Sequence, residues 1–340
     1  MFDDTDGIAA LRGIKGVGSV ARREPSIRVS IVVPHLGDET AFEDSLISVL
    51  ENRPAASEVL VAHDGHYSDP FDLGDEVRFV IHDQRSLPQL VSAATGVARG
   101  RFVHVLAHGI RATNGWVDAA LEKFEHEDAA CVSPVARRST DGPITAAGWT
   151  STASRLMSPV ASEKVVLGRR DALSIRGVCL SASFWRKEAL ESVTNAFTTD
   201  SLFAAQFGWS RLLCNEGWRC LLADQSVVIA DEEMLQLGPS MKQGMVLRAL
   251  DSELKNASLA GSAMSVAIAT VSNLLKPRLW GEVAGQTMSL VFGARSARTL
   301  QPKRVLSPNH LANDSMETIS LPLPVQKTLQ TSASSMRRAA

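Results

Sequence analysis

Six of the eight histidines fall between residues 35 and 108, and acids stand close to several of them. His63, Asp64 and His66 form one group, and His108 lies in the triplet Ala107-His108-Gly109. Imidazole nitrogens together with a carboxylate suit Zn²⁺ or another transition metal. His63, His66 and His108 are therefore an alternative metal set, with polar crevice residues as the plainer reading. Asp64 precedes Gly65, which is also ordinary turn chemistry.

These groups can act together only if the fold converges them. Residues 27–34 (Ile-Arg-Val-Ser-Ile-Val-Val-Pro) are an apolar run, and a second strand-like run ends in His63-Asp64-Gly65. Residues 77–81 and 102–106 supply a third and a fourth, with helix-like segments before the second and fourth. This βαβ rhythm predicts an open parallel sheet whose ligand crevice lies at the carboxyl ends of its strands. His35, His63, His66 and His82 fall at or just beyond those ends, His104 within the fourth strand and His108 just after it. Apolar spacing predicts helices over 39–52, 87–99 and 114–127. Residues 136–176 read as loop. A strand over 177–182 leads to a helix starting near Trp185, and a helix over 201–216 precedes a strand over 220–229.

Composition narrows the class. The 340 residues are 45% hydrophobic and 21% charged, enough for a sizeable core. A net charge of −2 excludes coating nucleic acid by bulk charge. Cys131, Cys179, Cys214 and Cys220 show no CxxC spacing, which fits reduced, buried thiols in a cytosolic protein. Gly16-Val-Gly18 follows no strand and is discounted as a phosphate loop. The acidic N-terminus lacks a signal-peptide core. In the uncharged stretch 256–275, Met264, Ile268, Val271 and Leu275 form one helical stripe and serines another. That pattern fits packing on protein, or lying at a membrane surface, better than spanning a bilayer. The expected organisation is a flexible arm 1–26, an α/β domain 27–235, a helical extension 236–298 and a disordered tail 299–340.

The run Val29-Ser-Ile-Val-Val-Pro34 resembles the opening strand of family 2 glycosyltransferases, and Glu58-Val-Leu-Val-Ala-His-Asp-Gly65 resembles their second. Ser86-Leu-Pro88 through Gly96-Val-Ala-Arg-Gly-Arg-Phe102 is similar to their next helix. Pro134, Asp141-Gly142 and Gly148 follow the spacing of the following loop. Ile175-Arg-Gly-Val-Cys-Leu180, Phe184-Trp-Arg-Lys-Glu188 and Phe197, then Gly217-Trp-Arg219, continue the likeness as far as about residue 231. The resemblance implies a GT-A fold, a mostly parallel Rossmann-like sheet flanked by helices. It also implies a nucleoside diphosphate sugar donor and a glycan acceptor, with no nucleic-acid partner, in polysaccharide or cell-envelope glycan synthesis. The expected location is cytoplasmic, peripheral at the inner membrane face if 256–275 attaches.

Within that resemblance Pro34, His63, Asp64 and His108 take nucleotide-binding positions. The family's Asp-x-Asp, which holds Mg²⁺ or Mn²⁺ against the diphosphate, is replaced by Ala107-His108-Gly109. Its general-base acids are replaced by Ala205-Gln206-Phe207-Gly208. A late histidine falls at Ala230, and an arginine–asparagine pair at Val91-Ser92. By the family pattern no metal set remains, and no cofactor is implied with certainty. Asp200, six residues before the usual base position, is a substitute catalytic candidate; Asp69 lies near another family acid, and Asp224 reads as a turn residue. Arg137-Arg138 and Arg169-Arg170 are candidates to face a diphosphate, or are solvated. Trp149, Trp185, Trp209 and Trp218 have faces suited to stacking on sugars, with core packing as the commoner role. The alternative to a transferase is a catalytically inactive relative that keeps the fold as a binding or scaffold module.

Overall fold

A computed structural model describes residues 26–70, 72–152, 154–296 and 305–308. The expected arm and tail otherwise lie outside the described residues. The chain opens with β1 (Val29–Pro34), α1 (Glu39–Glu51), β2 (Ser57–His63), β3 (Arg78–Ile81), α2 (Leu87–Val97) and β4 (Phe102–Leu106). Next come β5 (Arg111–Ala112), α3 (Trp116–Glu122), β6 (Ala129–Arg137), β7 (Ile144–Ala146), β8 (Trp149–Thr150) and β9 (Ser158–Pro159). Then follow α4 (Arg169–Ser174), β10 (Ala182–Arg186), α5 (Lys187–Ala196), α6 (Leu202–Asn215) and β11 (Arg219–Ile229). Helices α7 (Glu232–Leu235), α8 (Met241–Leu254), α9 (Leu259–Asn273) and α10 (Trp280–Ser296) complete the described elements.

The main sheet runs β3-β2-β1-β4-β10-β6-β11-β5, with β7 beside β6. Strands β1 to β4 are mutually parallel, β10 is antiparallel to both β4 and β6, and β6 is parallel to β11. The fold is thus the expected mixed α/β arrangement, a mostly parallel sheet flanked by helices and followed by further helices. β1 and β4 are buried along their whole length, because helices cover both faces of a parallel sheet. The order reverses across β1, whose neighbours are β2 and β4, so the switch-point crevice opens at the ends of β1 and β4.

Three local readings are corrected. The strand expected over 177–182 is β10, five residues later; Gly177 and Cys179 make only isolated bridges, to Trp149 and Ala182. Gly177 lies under the Trp149 ring, where a Cβ would sit 2.2 Å from the indole. The helix expected over 114–127 is α3 followed by a 3-10 turn, Lys123–Glu125. Finally, β6, buried in eight of its nine residues, stands where no strand was anticipated.

The four tryptophans named above are core residues, none more than 2% exposed. Each indole N–H is satisfied inside the protein: Trp149 by Val178 O, Trp185 by Ser183 Oγ, Trp209 by Phe197 O and Trp218 by Leu306 O. An acceptor groove lined by them is ruled out. The four cysteines are free, and burial pushes the Cys179 thiol up to about 12.

Helices α8 and α10 approach so closely that a Cβ on Gly244 would lie 2.0 Å from the Glu282 carbonyl oxygen, and one on Gly285 equally close to that of Met241. Gly244→Ala is therefore expected to destabilise the protein by about 1–3 kcal/mol through overpacking, measured as a lower urea midpoint. An unchanged midpoint would mean that the two helices separate without cost.

Candidate functional site

The carboxyl ends of β1, β2 and β4 lead into three loops. Asp38, after β1, caps α1 by accepting the Ala41 N–H at 3.1 Å. Beyond β2, Asp64 is held on both oxygens. Oδ2 accepts from Arg85 Nε at 2.6 Å, while Oδ1 faces the His66 backbone N–H at 3.2 Å and its Nδ1 at 3.3 Å. The Arg85 bond is the main reason the Asp64 carboxyl stays far below the usual carboxylate range. Arg85 itself is 45% exposed and lies over Gly37, so a cation borders the β1–α1 loop. Sequence reading missed Arg85; its position between β3 and α2, two strand ends from the crevice, was the only available signal.

His108 borders the same loop from the β4 side. Its Nδ1 is shut from solvent and has no hydrogen-bond partner among the described residues. Burial lowers its pKa, with nearby Asp38 opposing. His35, following Pro34 of β1, is buried with both ring nitrogens unpartnered among the described residues. It packs on Phe42 and Tyr67 with ring centroids 5.0 and 5.1 Å away. Buried polar atoms are rarely left unpaired except where a role accounts for them. Here two such rings follow neighbouring strands at the switch point.

The other candidates separate. His63 Nδ1 accepts the Gly65 N–H, and its ring meets Tyr67 and Phe79. His66 is 81% exposed beside Asp64. Among the described residues no three His, Cys, Asp or Glu side chains form a group able to hold a metal, so His63, His66 and His108 are not brought together as ligands. Asp200 accepts from Gln89 Nε2 at 3.0 Å, and Asp69 Oδ2 accepts the Leu73 N–H. Asp224 lies within the irregular part of β11, 3.6 Å from Lys123, rather than in a turn between strands. Arg137 is spent on the Gly142 and Val165 carbonyls and Arg138 on Glu163. Arg169 and Arg170 are exposed at the start of α4.

Ala107 and Gln206, which the sequence resemblance aligns with metal and base acids, both bond the Leu180–Ser181 segment. The Ala107 N–H donates to Ser181 O at 2.8 Å, and Gln206 Oε1 accepts from the neighbouring Leu180 N–H at 3.3 Å. Gln206 is fully buried, with its amide against Met157 Sδ. Gly109, at φ +77°, is covered by Met234 of α7: a Cβ there would lie 2.6 Å from the thioether sulfur. A hard divalent cation wants carboxylate or carbonyl oxygens. Alanine, histidine and glycine beneath a methionine do not fit Mg²⁺ or Mn²⁺. α7 does bring two exposed carboxylates, Glu232 and Glu233, to a shallow depression shared with Phe203 of α6 and Ser240. They come from outside the segment where a base was sought.

No protein-family profile matches the chain. No curated protein sequence matches it either. Among solved structures it is similar to the mannosyltransferase PcManGT from Pyrobaculum calidifontis, determined in complex with GDP-Man and Mn²⁺. That match has 13% identity, covers 87% of this chain and 81% of the other, and has a TM-score of 0.43. It is also similar to S. aureus TarS, residues 1–349, at 12% identity, covering 81% of this chain and 75% of that one, with a TM-score of 0.44.

Proposed function

We propose that this chain is a glycosyltransferase-like protein of the GT-A type. It would bind a nucleoside diphosphate sugar at the β1/β4 crevice without a divalent metal and pass the sugar to a glycan acceptor. Residues 27–235 form the transferase-like unit in this reading. Family 2 membership, and a place in polysaccharide or cell-envelope glycan synthesis, rest on the order of sequence motifs alone. The observation that carries the proposal is the pairing of an unpartnered His108 ring nitrogen with the half-exposed Arg85 on either side of the β1–α1 loop.

In this reading Arg85 offsets charge on the leaving diphosphate and His108, kept neutral by burial, donates a ring N–H to it, as fixed donors do where negative charge develops. Asp64 holds the Arg85 guanidinium in place and meets the nucleoside, with Pro34 and His63 shaping the floor. Glu232 or Glu233 takes the acceptor hydroxyl proton, since Gln206 has no basic oxygen to offer.

Calorimetric titration with UDP, GDP and dTDP, with and without Mn²⁺, tests it. Metal-independent binding of at least one nucleotide is expected. Arg85→Ala should weaken that binding about 10- to 100-fold, the worth of a charge-assisted hydrogen bond. Binding only with Mn²⁺ would refute the metal-free site, and no binding of any nucleotide would refute the nucleotide site altogether. One observation favours a second reading, a catalytically inactive scaffold: the buried, hydrogen-bonded Gln206 plugs the base position. Nucleotide binding with no sugar transfer, unaltered by Glu232→Gln/Glu233→Gln, would decide for it.

A further inference from the structure

Helix α9 is built inside out. It turns Ser262, Val266, Ala269 and Asn273 toward the protein. Ser262 Oγ bonds Ser252 Oγ at 2.8 Å, and Asn273 Nδ2 donates to Ser154 O at 2.8 Å. The large apolar side chains point the other way: Met264 is 64% exposed, Val271 71% and Leu275 93%, with Ile268 between them. The expectation that this stripe packs on protein is thereby corrected. Small and hydrogen-bonding residues let α9 lie close to its neighbours, and the stripe is left outside.

The apolar face extends past the helix end. Trp280 is 58% exposed and is tied to α9 by its indole N–H, which donates to Leu274 O at 3.3 Å. Residues 254–281 contain no Asp or Glu and carry Lys255, Lys276 and Arg278. Lys255 is engaged by Asp251 at 2.9 Å; Lys276 and Arg278 are exposed beside Leu275 and Trp280. No described helix is long and apolar enough to cross a membrane.

We propose that α9 and the turn into α10 form a docking face that seats on an anionic lipid surface. The apolar stripe enters the acyl boundary, Trp280 sits at headgroup depth, and Lys276 and Arg278 meet lipid phosphates. Charge decides between lipid and a second copy of this chain. The face has no carboxylate, so a second copy would bring cations to cations, whereas anionic headgroups supply the missing counter-charge.

The test is co-sedimentation of the full chain with phosphatidylcholine vesicles, with and without phosphatidylglycerol. The protein should pellet with the anionic vesicles. Lys276→Gln/Arg278→Gln should weaken this about 25-fold, from roughly a fivefold loss per basic residue. Ile268→Ser/Leu275→Ser should weaken it at least as much, with no fall in melting temperature because both side chains are exposed. Wild-type protein left in the supernatant with anionic vesicles overturns the proposal. So does a dimer in sedimentation velocity that the Ile268→Ser/Leu275→Ser protein no longer forms. Neither outcome bears on nucleotide binding, which is read separately.

Discussion

Arg155→Ala is expected to lower the unfolding free energy by about 3–5 kcal/mol, the usual consequence of leaving a buried charge without its partner. Arg155 Nε meets Glu282 Oε2 at 2.9 Å, with side-chain exposures of 11% and 1%, and its second nitrogen caps Leu237 O at 3.2 Å. The pair joins the loop after β8 to α10. The same helix contributes Gln286, which accepts from Arg248 of α8 at 2.9 Å, and Arg248 faces Asp251, which also faces Arg211 of α6. Burial raises the Glu282 pKa, and Arg155 opposes that rise. Without Arg155 the carboxyl rises further and takes up a proton more readily in the folded state than in the unfolded one. A raised folded pKa gives stability that is present at low pH and lost as pH rises through it. The deficit of Arg155→Ala should therefore be larger at pH 8 than at pH 5 in urea titrations. Arg155→Met/Glu282→Leu should recover most of the loss, since an apolar pair needs no counter-charge. A deficit independent of pH would refute the assignment to an orphaned Glu282.

The second large effect is acid destabilisation through His104. Its ring is fully buried and stacked on Phe184 at 3.8 Å. Nδ1 lies 2.9 Å from Ser183 O and so donates to it, while Nε2 accepts the Trp116 indole N–H at 3.0 Å. Both nitrogens are committed to the neutral form, and burial lowers the pKa from 6.5 to about 3. Between those values the unfolded chain binds a proton that the folded chain refuses, so stability falls as pH falls, by about 1.4 kcal/mol per pH unit. Burial also lowers the pKa of His35, His63 and His108, with the same sign. The urea midpoint should drop steeply below about pH 6.5. In His104→Gln, less stable at neutral pH, the acid limb should be shallower. A His104 C2–H resonance that titrates near 6.5 in the folded protein would refute this.

Much of the sheet was legible because burial on both faces leaves a continuous apolar run. β1, β2 and β4 read directly, whereas α2, expected to run to residue 99, ends at Val97 with Ala98 as its C-cap. A Cβ at Gly100 would lie 2.6 Å from the Ser30 nitrogen, so only glycine allows strand and turn to meet there. β10 was misplaced because it ends in Arg186, a charged residue whose guanidinium is buried against the Ala129 and Phe124 carbonyls. A charge normally marks an exposed position, and only long-range carbonyls make an exception of this one. β6 went unread because Ser133 and Pro134 break its apolar pattern. At the site, Ala107 and Gln206 came from spacing within the resemblance. Arg85 did not, for its bond to Asp64 joins loops of two different strands.

The order of residues by itself fixed the alternation of strand and helix, the absence of carboxylates at 107–109 and 205–208, and the apolar stripe of α9. These depend on side-chain type and period, which are local. Tertiary packing alone decided that Met234 covers Gly109, that Arg85 locks Asp64, and that the stripe faces outward. Each depends on which distant segment arrives at a given place, and that is set by the whole core rather than by any stretch of chain.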